Sequence, residues 1–281
     1  MNYGLPYMGS KNRIAEWVLE NLPEADNLYD LFGGGGAITH CAALSGKYKN
    51  IYYNDIQKNL TKLFKDAMEG KYKNENRWIS REDFFNPKND DDMYIKLCWS
   101  FGNKGNCYLY GKDIEPLKKA WHYATFFDDY SLFEELNIHI NQADKNLTTK
   151  EKRAFIKKEL DKIRKQRNEL QSLESLERLQ SLERLQSKII FSEKSYDEID
   201  IKPNSIIYCD IPYKGTAEYK NCNFDYDKFY EWACKQEVTV YISEYWMPED
   251  KFECIAEKEH RSILSSTANN KVTEKLFKVK K

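Results

Sequence analysis

Asn27-Leu-Tyr-Asp-Leu-Phe32, then Gly33-Gly-Gly-Gly36, then Ala37-Ile-Thr-His-Cys-Ala-Ala-Leu44 is the stretch that decides the fold class. Its first part is a short apolar run, as in a buried strand, and its last part is apolar and compatible with a helix. The four glycines between them let backbone amides approach a ligand closely, because no Cβ stands in the way. The helix start that follows favours a negative group. A tight strand–helix turn without a ligand is the competing reading. The loop departs from G-x-G-x-x-G, since Ile38 and Thr39 stand where the third glycine is expected, and from G-x-x-x-x-G-K-[ST] as well. Nicotinamide binding and nucleotide hydrolysis both lose ground.

Ile51–Asn54 reads as a second strand that runs into Asp55, about twenty residues past the glycines. Alone, Asp55 would be a surface helix cap. At that distance from a glycine loop, it suits the ribose hydroxyls of an adenosine-containing cofactor. Ser205–Cys209 is predicted as a strand, Asp225–Lys235 as a helix, Val238–Ser243 as a strand and Lys275–Val279 as an edge strand closing the sheet. Strands alternating with helices predict a mainly parallel sheet covered on both faces. After Ser205–Cys209 comes Asp210-Ile-Pro-Tyr-Lys-Gly215. An Asp at the carboxyl end of a parallel strand points into the ligand crevice of such a sheet. Pro212 stiffens the loop and Tyr213 offers a flat π-face. This pairing suits a planar base carrying an amino group, and an ordinary Asp-x-Pro turn is the alternative.

At 281 residues and 41% hydrophobic, the chain can bury a sizeable core and suits one domain with an insertion, or two small ones. With 44 basic against 45 acidic residues, it is no uniformly basic nucleic-acid binder, although a local basic face is allowed. No apolar run reaches the roughly 18 residues of a membrane span. No secretion signal is visible. The seven cysteines never form C-x-x-C, which argues against a disulfide framework and a zinc cluster. His40, His122, His139 and His260 make no ligand set either. A reduced compartment is expected.

Residues 76–187 differ from both flanks, so a catalytic domain of 1–75 and 188–281 is expected to carry 76–187 as an insertion. Its stretch Trp99–Gly111 is too rich in Gly and Asn for one regular element. The helical stretch 148–167 holds nine Lys and Arg against three acidic residues, a local excess hidden by the balanced total. Ser175-Leu-Glu-Arg-Leu-Gln180 then recurs as Ser181–Gln186, with leucines every third residue from Leu170 to Leu185. That period drifts about 60° per step on an α-helix, so the leucines circle it rather than forming one seam. A length-variable helical spacer over 170–186 is the expectation, and a partner interface is the other reading.

Together these motifs resemble the Dam-like DNA adenine-N6 methyltransferases, especially phage-encoded members. Tyr7-Met-Gly-Ser-Lys11 resembles the family's first cofactor motif. Asp30-Leu-Phe-Gly-Gly-Gly-Gly36 resembles its F-x-G-x-G loop, with matches at Phe32, Gly34 and Gly36. Asp210-Ile-Pro-Tyr213 resembles its D-P-P-Y signature. The order is also that of the family, and the resemblance runs from about residue 3 to 278 and is weakest in 125–190.

The resemblance implies a Rossmann-like α/β sheet dependent on S-adenosylmethionine, with an inserted, mostly helical target-recognition domain. It implies a cofactor site of Tyr7, Lys11, Asp30, Phe32, Gly34, Gly36, Asp55 and Asp210. It also implies that an adenine flipped from double-stranded DNA stacks on Tyr213 while Asp210 and the Ile211 carbonyl accept hydrogen bonds from N6. Asp210, Ile211, Pro212 and Tyr213 are thus the expected catalytic residues. In the insertion, Ser100, Phe101, Asn103, Tyr108, Tyr110 and Lys112 would face DNA bases, with Lys157 and Arg164 on phosphates. No metal or membrane is called for, and a cytoplasmic monomer, bacterial or in a phage-infected host, is the expected form.

Two departures stand out. Ile211 replaces the first proline, so the loop loses one fixed φ and slower chemistry is expected. Lys194 or Ser195 occupies the place of an acidic residue that touches the cofactor adenine in the family, so that contact is unassigned. N4-cytosine methylation and a catalytically silent DNA-binding relative remain the alternative functions. The segment from Arg261-Ser-Ile-Leu264 through Lys271-Val-Thr-Glu-Lys-Leu276 resembles the family's C-terminal end and is expected to be structural.

Overall fold

The computed structural model describes residues 2–163, 178–179, 188–213, 224–261 and 271–280. Arg164, and the leucine repeat apart from Arg178 and Leu179, lie outside the described residues. The chain forms two compact units, one of Met1–Lys71 with Arg178–Lys281 and the other of Tyr72–Glu177.

The first unit is built on a seven-stranded sheet. Its parallel strands are β1 (Asn27–Asp30), β2 (Asn50–Asn54), β3 (Ile189–Ser192), β4 (Ser205–Cys209) and β5 (Thr239–Glu244). β6 (Phe252–Arg261) pairs with β7 (Lys271–Val279), and β7 runs antiparallel to both β5 and β6, giving the order β3-β2-β1-β4-β5-β7-β6. The chain winds outward from β1 through β2 to β3, then resumes on the other side of β1 with β4 and β5. Strand order therefore reverses between β1 and β4, and ligand crevices open at the carboxyl ends beside such a reversal. Asp30 is in register with Tyr208, so Asp30 and Asp210 emerge as neighbours.

Every residue of β1 and of β4 is buried, as central parallel strands covered on both faces require. Alternate residues serve opposite faces. Leu28, Ile51, Ile206, Tyr208, Tyr241 and Leu276 pack towards α1 (Ala15–Asn21) and α2 (Ala37–Ser45). Tyr29, Ile207, Cys209, Val240, Ile242 and Phe277 pack against the helix Tyr226–Lys235.

One expectation is corrected. The strand expected at Lys275–Val279 starts at Lys271 and is interior, and β6, which the sequence pattern did not reveal, takes the edge. A register shift between Cys254 and Ala256 breaks the period-two pattern of β6, and its run of Glu and Lys suits an exposed edge.

The second unit is mostly helical. Leu117, Trp121, Ala124, Phe133, Ile156 and Leu160 form its core between the helices Glu115–Phe127, Ser131–Glu135 and Thr149–Ile163. Among the described residues no helix is long and apolar enough to cross a membrane, and no group of three or more His, Cys, Asp or Glu could hold a metal ion.

Candidate active site

β1 delivers Asp30 and turns through Gly33–Gly36 into α2. Gly36, at φ 70°, is left-handed, and a Cβ there would stand 2.4 Å from the Phe64 ring. A Cβ on Gly33 would stand 2.2 Å from the Tyr53 ring. At Gly34 the nearest neighbour of a Cβ would be Tyr7, at 3.5 Å. The N-terminal segment is tied to this loop: the Leu5 amide donates to the Gly35 carbonyl (2.6 Å). The Gly4 amide donates to Nδ1 of His40 (2.9 Å), whose pKa burial lowers to about 4, so its ring is neutral and can accept. Arg178 donates to the carbonyls of Gly4 (2.9 Å) and Tyr3 and to Ser10 Oγ (3.2 Å). Arg178, which falls in the first copy of the repeated hexapeptide, thus anchors the N-terminal segment, a contact that a spacer does not require.

A narrow cleft of about 30 Å³ opens here, lined among others by Tyr7, Lys11, Asp30, Phe32, Gly34 and Asp210. Phe32 is half-buried among Tyr196, Phe224 and Phe229, which pins the loop to the sheet. Asp30 accepts a hydrogen bond from Thr39 (2.7 Å), and burial raises its carboxyl to about 7.

Asp55 clasps the loop. Its two oxygens accept from the amides of Gly34 (2.8 Å) and Gln57 (2.8 Å), and these bonds partly offset the upward push of burial on its pKa. It is buried, not a surface cap. Sequence reasoning missed its neighbour Asn54. That side chain donates to the carbonyls of Leu31 (3.1 Å) and Lys194 (3.0 Å) and accepts from Ser192 (2.8 Å) and the Lys194 amide (3.0 Å). It staples the ends of β1, β2 and β3. The Lys194 backbone is used in this staple, and Ser195 caps the turn Tyr196–Glu198.

Beyond β4, Asp210 keeps 22% of its side chain open and meets Lys11 Nζ at 3.0 Å. Burial raises the Asp210 carboxyl to about 6 although Lys11 opposes the shift. Lys11 also approaches Glu274 (3.5 Å) and lies 4.4 Å from the centre of the Tyr213 ring. Burial alone would depress the Lys11 ammonium, but the two carboxylates outweigh it and raise its pKa. The Tyr213 hydroxyl donates to Glu274, and Tyr245 meets the Tyr213 ring edge-on at 4.7 Å. Ile211 is buried in the apolar layer with Cys209, Phe229 and Met247. Burial anchors the loop where a proline would have fixed φ, and the Pro212 carbonyl accepts from the Tyr226 hydroxyl (2.8 Å).

In the second unit the expected DNA-facing residues divide. Ser100, Tyr108 and Tyr110 are buried. Ser100 Oγ accepts from the Gly105 amide (2.9 Å), the Tyr108 hydroxyl donates to the Ile79 carbonyl (2.7 Å), and Tyr110 stacks on Trp78. Asn103 Nδ2 donates to the Leu97 carbonyl (2.8 Å). Phe101 and Lys112 are exposed and Lys157 is half-exposed. Lys152 and Lys162 are paired with Asp128 and Glu159, so the helix presents fewer open cations than its composition suggested.

Against known families, residues 7–278 match the D12 class N6 adenine-specific DNA methyltransferases, which is nearly the whole chain. No curated protein matches it.

Proposed function

The chain belongs to the D12 class N6 adenine-specific DNA methyltransferase family, and on that premise we propose the part each residue of the cleft takes in methylating adenine N6. The match lends no support to the N4-cytosine reading or to a catalytically silent DNA binder.

The cleft suits S-adenosylmethionine. Asp30, Asp55 and Asp210 crowd the glycine loop, and Lys11 is engaged by Asp210, so the surroundings favour a cationic adenosyl ligand over the phosphates of a nucleotide. When bound, S-adenosylmethionine supplies an electrophilic methyl group on a positively charged sulfur. Asp55 takes the ribose hydroxyls with the lone pairs left after Gly34 and Gln57. Asp30 and the glycines flank the methionine part, and Tyr7, Lys11 and Phe32 border the cofactor.

The target adenine leaves the duplex, because N6 is paired and stacked inside it. Tyr213 stacks on the base. The Asp210 carboxylate and the Ile211 carbonyl accept hydrogen bonds from N6 and aim its lone pair, with Pro212 stiffening the turn. As N6 takes the methyl group, the methyl–sulfur bond would break with its electron pair left on sulfur, and the proton that N6 sheds passes to Asp210. In the second unit, Phe101 and Lys112 meet DNA at the bases and Lys157 at phosphate.

The observation that carries this reading is the meeting of the Asp30–Gly36 loop and the Asp210–Tyr213 turn at the carboxyl ends of adjacent strands. Incubation with methyl-labelled S-adenosylmethionine and unmethylated duplex DNA is expected to put label into N6-methyladenine. Label in N4-methylcytosine, or none, overturns it. Asp55→Ala is expected to weaken S-adenosylmethionine binding about 10- to 100-fold by calorimetry, since charged hydrogen bonds are worth about 1.5–3 kcal/mol. An unchanged affinity would remove Asp55 from the cofactor site.

A further inference from the structure

Glu274 lies far in sequence from every motif that marks the cleft, yet it is buried against them. It follows from the topology. β7 is antiparallel to β5, so β7 begins where the parallel strands end, and Lys275 is in register with Glu244 at the carboxyl end of β5. Successive residues of a strand alternate faces, so Glu274 shares its face with Leu276, which packs beside Tyr208. It therefore joins a cluster of four side chains: Lys11 meets both Asp210 and Glu274, Glu274 accepts from the Tyr213 hydroxyl, and Lys11 lies over the Tyr213 ring.

We propose that Glu274 is a positioning residue for methyl transfer, holding the Tyr213 ring by its hydroxyl and sharing Lys11 with Asp210. Held at its far end and with Lys11 over it, the buried ring keeps one orientation. Because Lys11 divides its charge between two carboxylates, Asp210 remains a good acceptor for the N6 hydrogens. The proposal rests on the roles given above to Asp210 and Tyr213.

Charge gives it a signature that packing alone would not. Glu274 pushes the Asp210 carboxyl upward, so removing its charge while keeping its shape moves the ionisation of Asp210 to lower pH. The other titratable groups facing Asp210 are Lys11 and Tyr7 from the N-terminal segment, Asp30 from β1, Tyr208 and Cys209 from β4, and Tyr213 and Tyr245. Lys11, the tyrosines and Cys209 are all raised, and Asp30 titrates at about 7.

The test uses the full-length chain, duplex DNA and labelled S-adenosylmethionine. Glu274→Ala is expected to lower kcat about 10²-fold, the scale of a small misplacement of reacting groups, with S-adenosylmethionine affinity unchanged. Glu274→Gln keeps an acceptor for Tyr213 and is expected to recover most of that loss at pH 8, with the acid limb of its rate profile shifted to lower pH. A folded Glu274→Ala protein with wild-type kcat, or a Glu274→Gln profile with the wild-type acid limb, overturns the proposal. Failure of the underlying assignment looks different: the unmodified chain then transfers no label to adenine, or Asp210→Ala is as active as the wild type.

Discussion

Asp210→Ala is expected to cut methyl transfer to duplex DNA by about 10²–10³-fold or more, the cost of deleting one aimed polar group from a preorganised site. The loss belongs in kcat. N6 gains positive charge as it bonds to carbon, so an anionic acceptor holds its hydrogens more strongly in the transition state than before it. Lys11 keeps Glu274 as a partner in the variant, so no isolated cation is left buried and the chain should remain folded. The wild-type rate is expected to rise with pH through about 6, where Asp210 ionises, and this limb should vanish from the residual activity of the variant. Stability has the opposite sign. Between the ordinary carboxylate range and about pH 6, the native chain holds a proton that the unfolded chain has released, so stability falls as pH rises through that window. Single-turnover label transfer across pH 5–8 reads the kinetic effects, and a wild-type rate in the variant would remove Asp210 from the chemistry.

The features legible in the sequence are those whose chemistry is local. The glycine run, Asp30 and Asp55 at strand ends and the Asp210–Tyr213 turn each carry their meaning within a few residues, and their spacing supplied the parallel sheet. Glu274 carries none locally. In Lys271-Val-Thr-Glu-Lys-Leu276 it is one charge among several, and its place depends on β7 entering the sheet between β5 and the bulged β6. Asn54 is similar, because its four hydrogen bonds span three strand ends. The polar and aromatic stretch Ser100–Lys112 is legible only in part. Its composition suited DNA, but composition does not fix which way a side chain points, and Ser100, Tyr108 and Tyr110 are buried within their own unit. Ile211 reads as a loss beside a proline signature, although its burial among Cys209, Phe229 and Met247 supplies an anchor of another kind.

Gly36→Ala is expected to produce the largest loss of stability of any single methyl added to the first unit's loop. Two costs coincide there. At φ 70° an L-residue is less stable by about 1–2 kcal/mol than in the right-handed region. The new Cβ would also stand 2.4 Å from a Phe64 ring carbon, and Phe64 is fully buried beside Tyr53 and Phe191, so relieving the overlap means repacking a closed aromatic cluster at a further cost of about 1–3 kcal/mol. Together, about 2–5 kcal/mol corresponds to a fall in Tm of roughly 5–15 °C for a chain of this size. Gly46 separates the two causes, since it has φ 66° at the other end of α2 and a Cβ there would meet nothing within 4 Å. Gly46→Ala should therefore show the backbone cost alone. Combining Gly36→Ala with Phe64→Leu should recover part of the steric cost and none of the backbone cost, so the double variant should melt above the sum of its single changes. The damage reaches the cleft as well, because the Gly34 amide held by Asp55 lies two residues away in the same turn. Equal melting shifts for Gly36→Ala and Gly46→Ala would mean that the Phe64 cluster yields freely, and the close approach of the loop to α3 (Lys58–Met68) would then not be what demands a glycine.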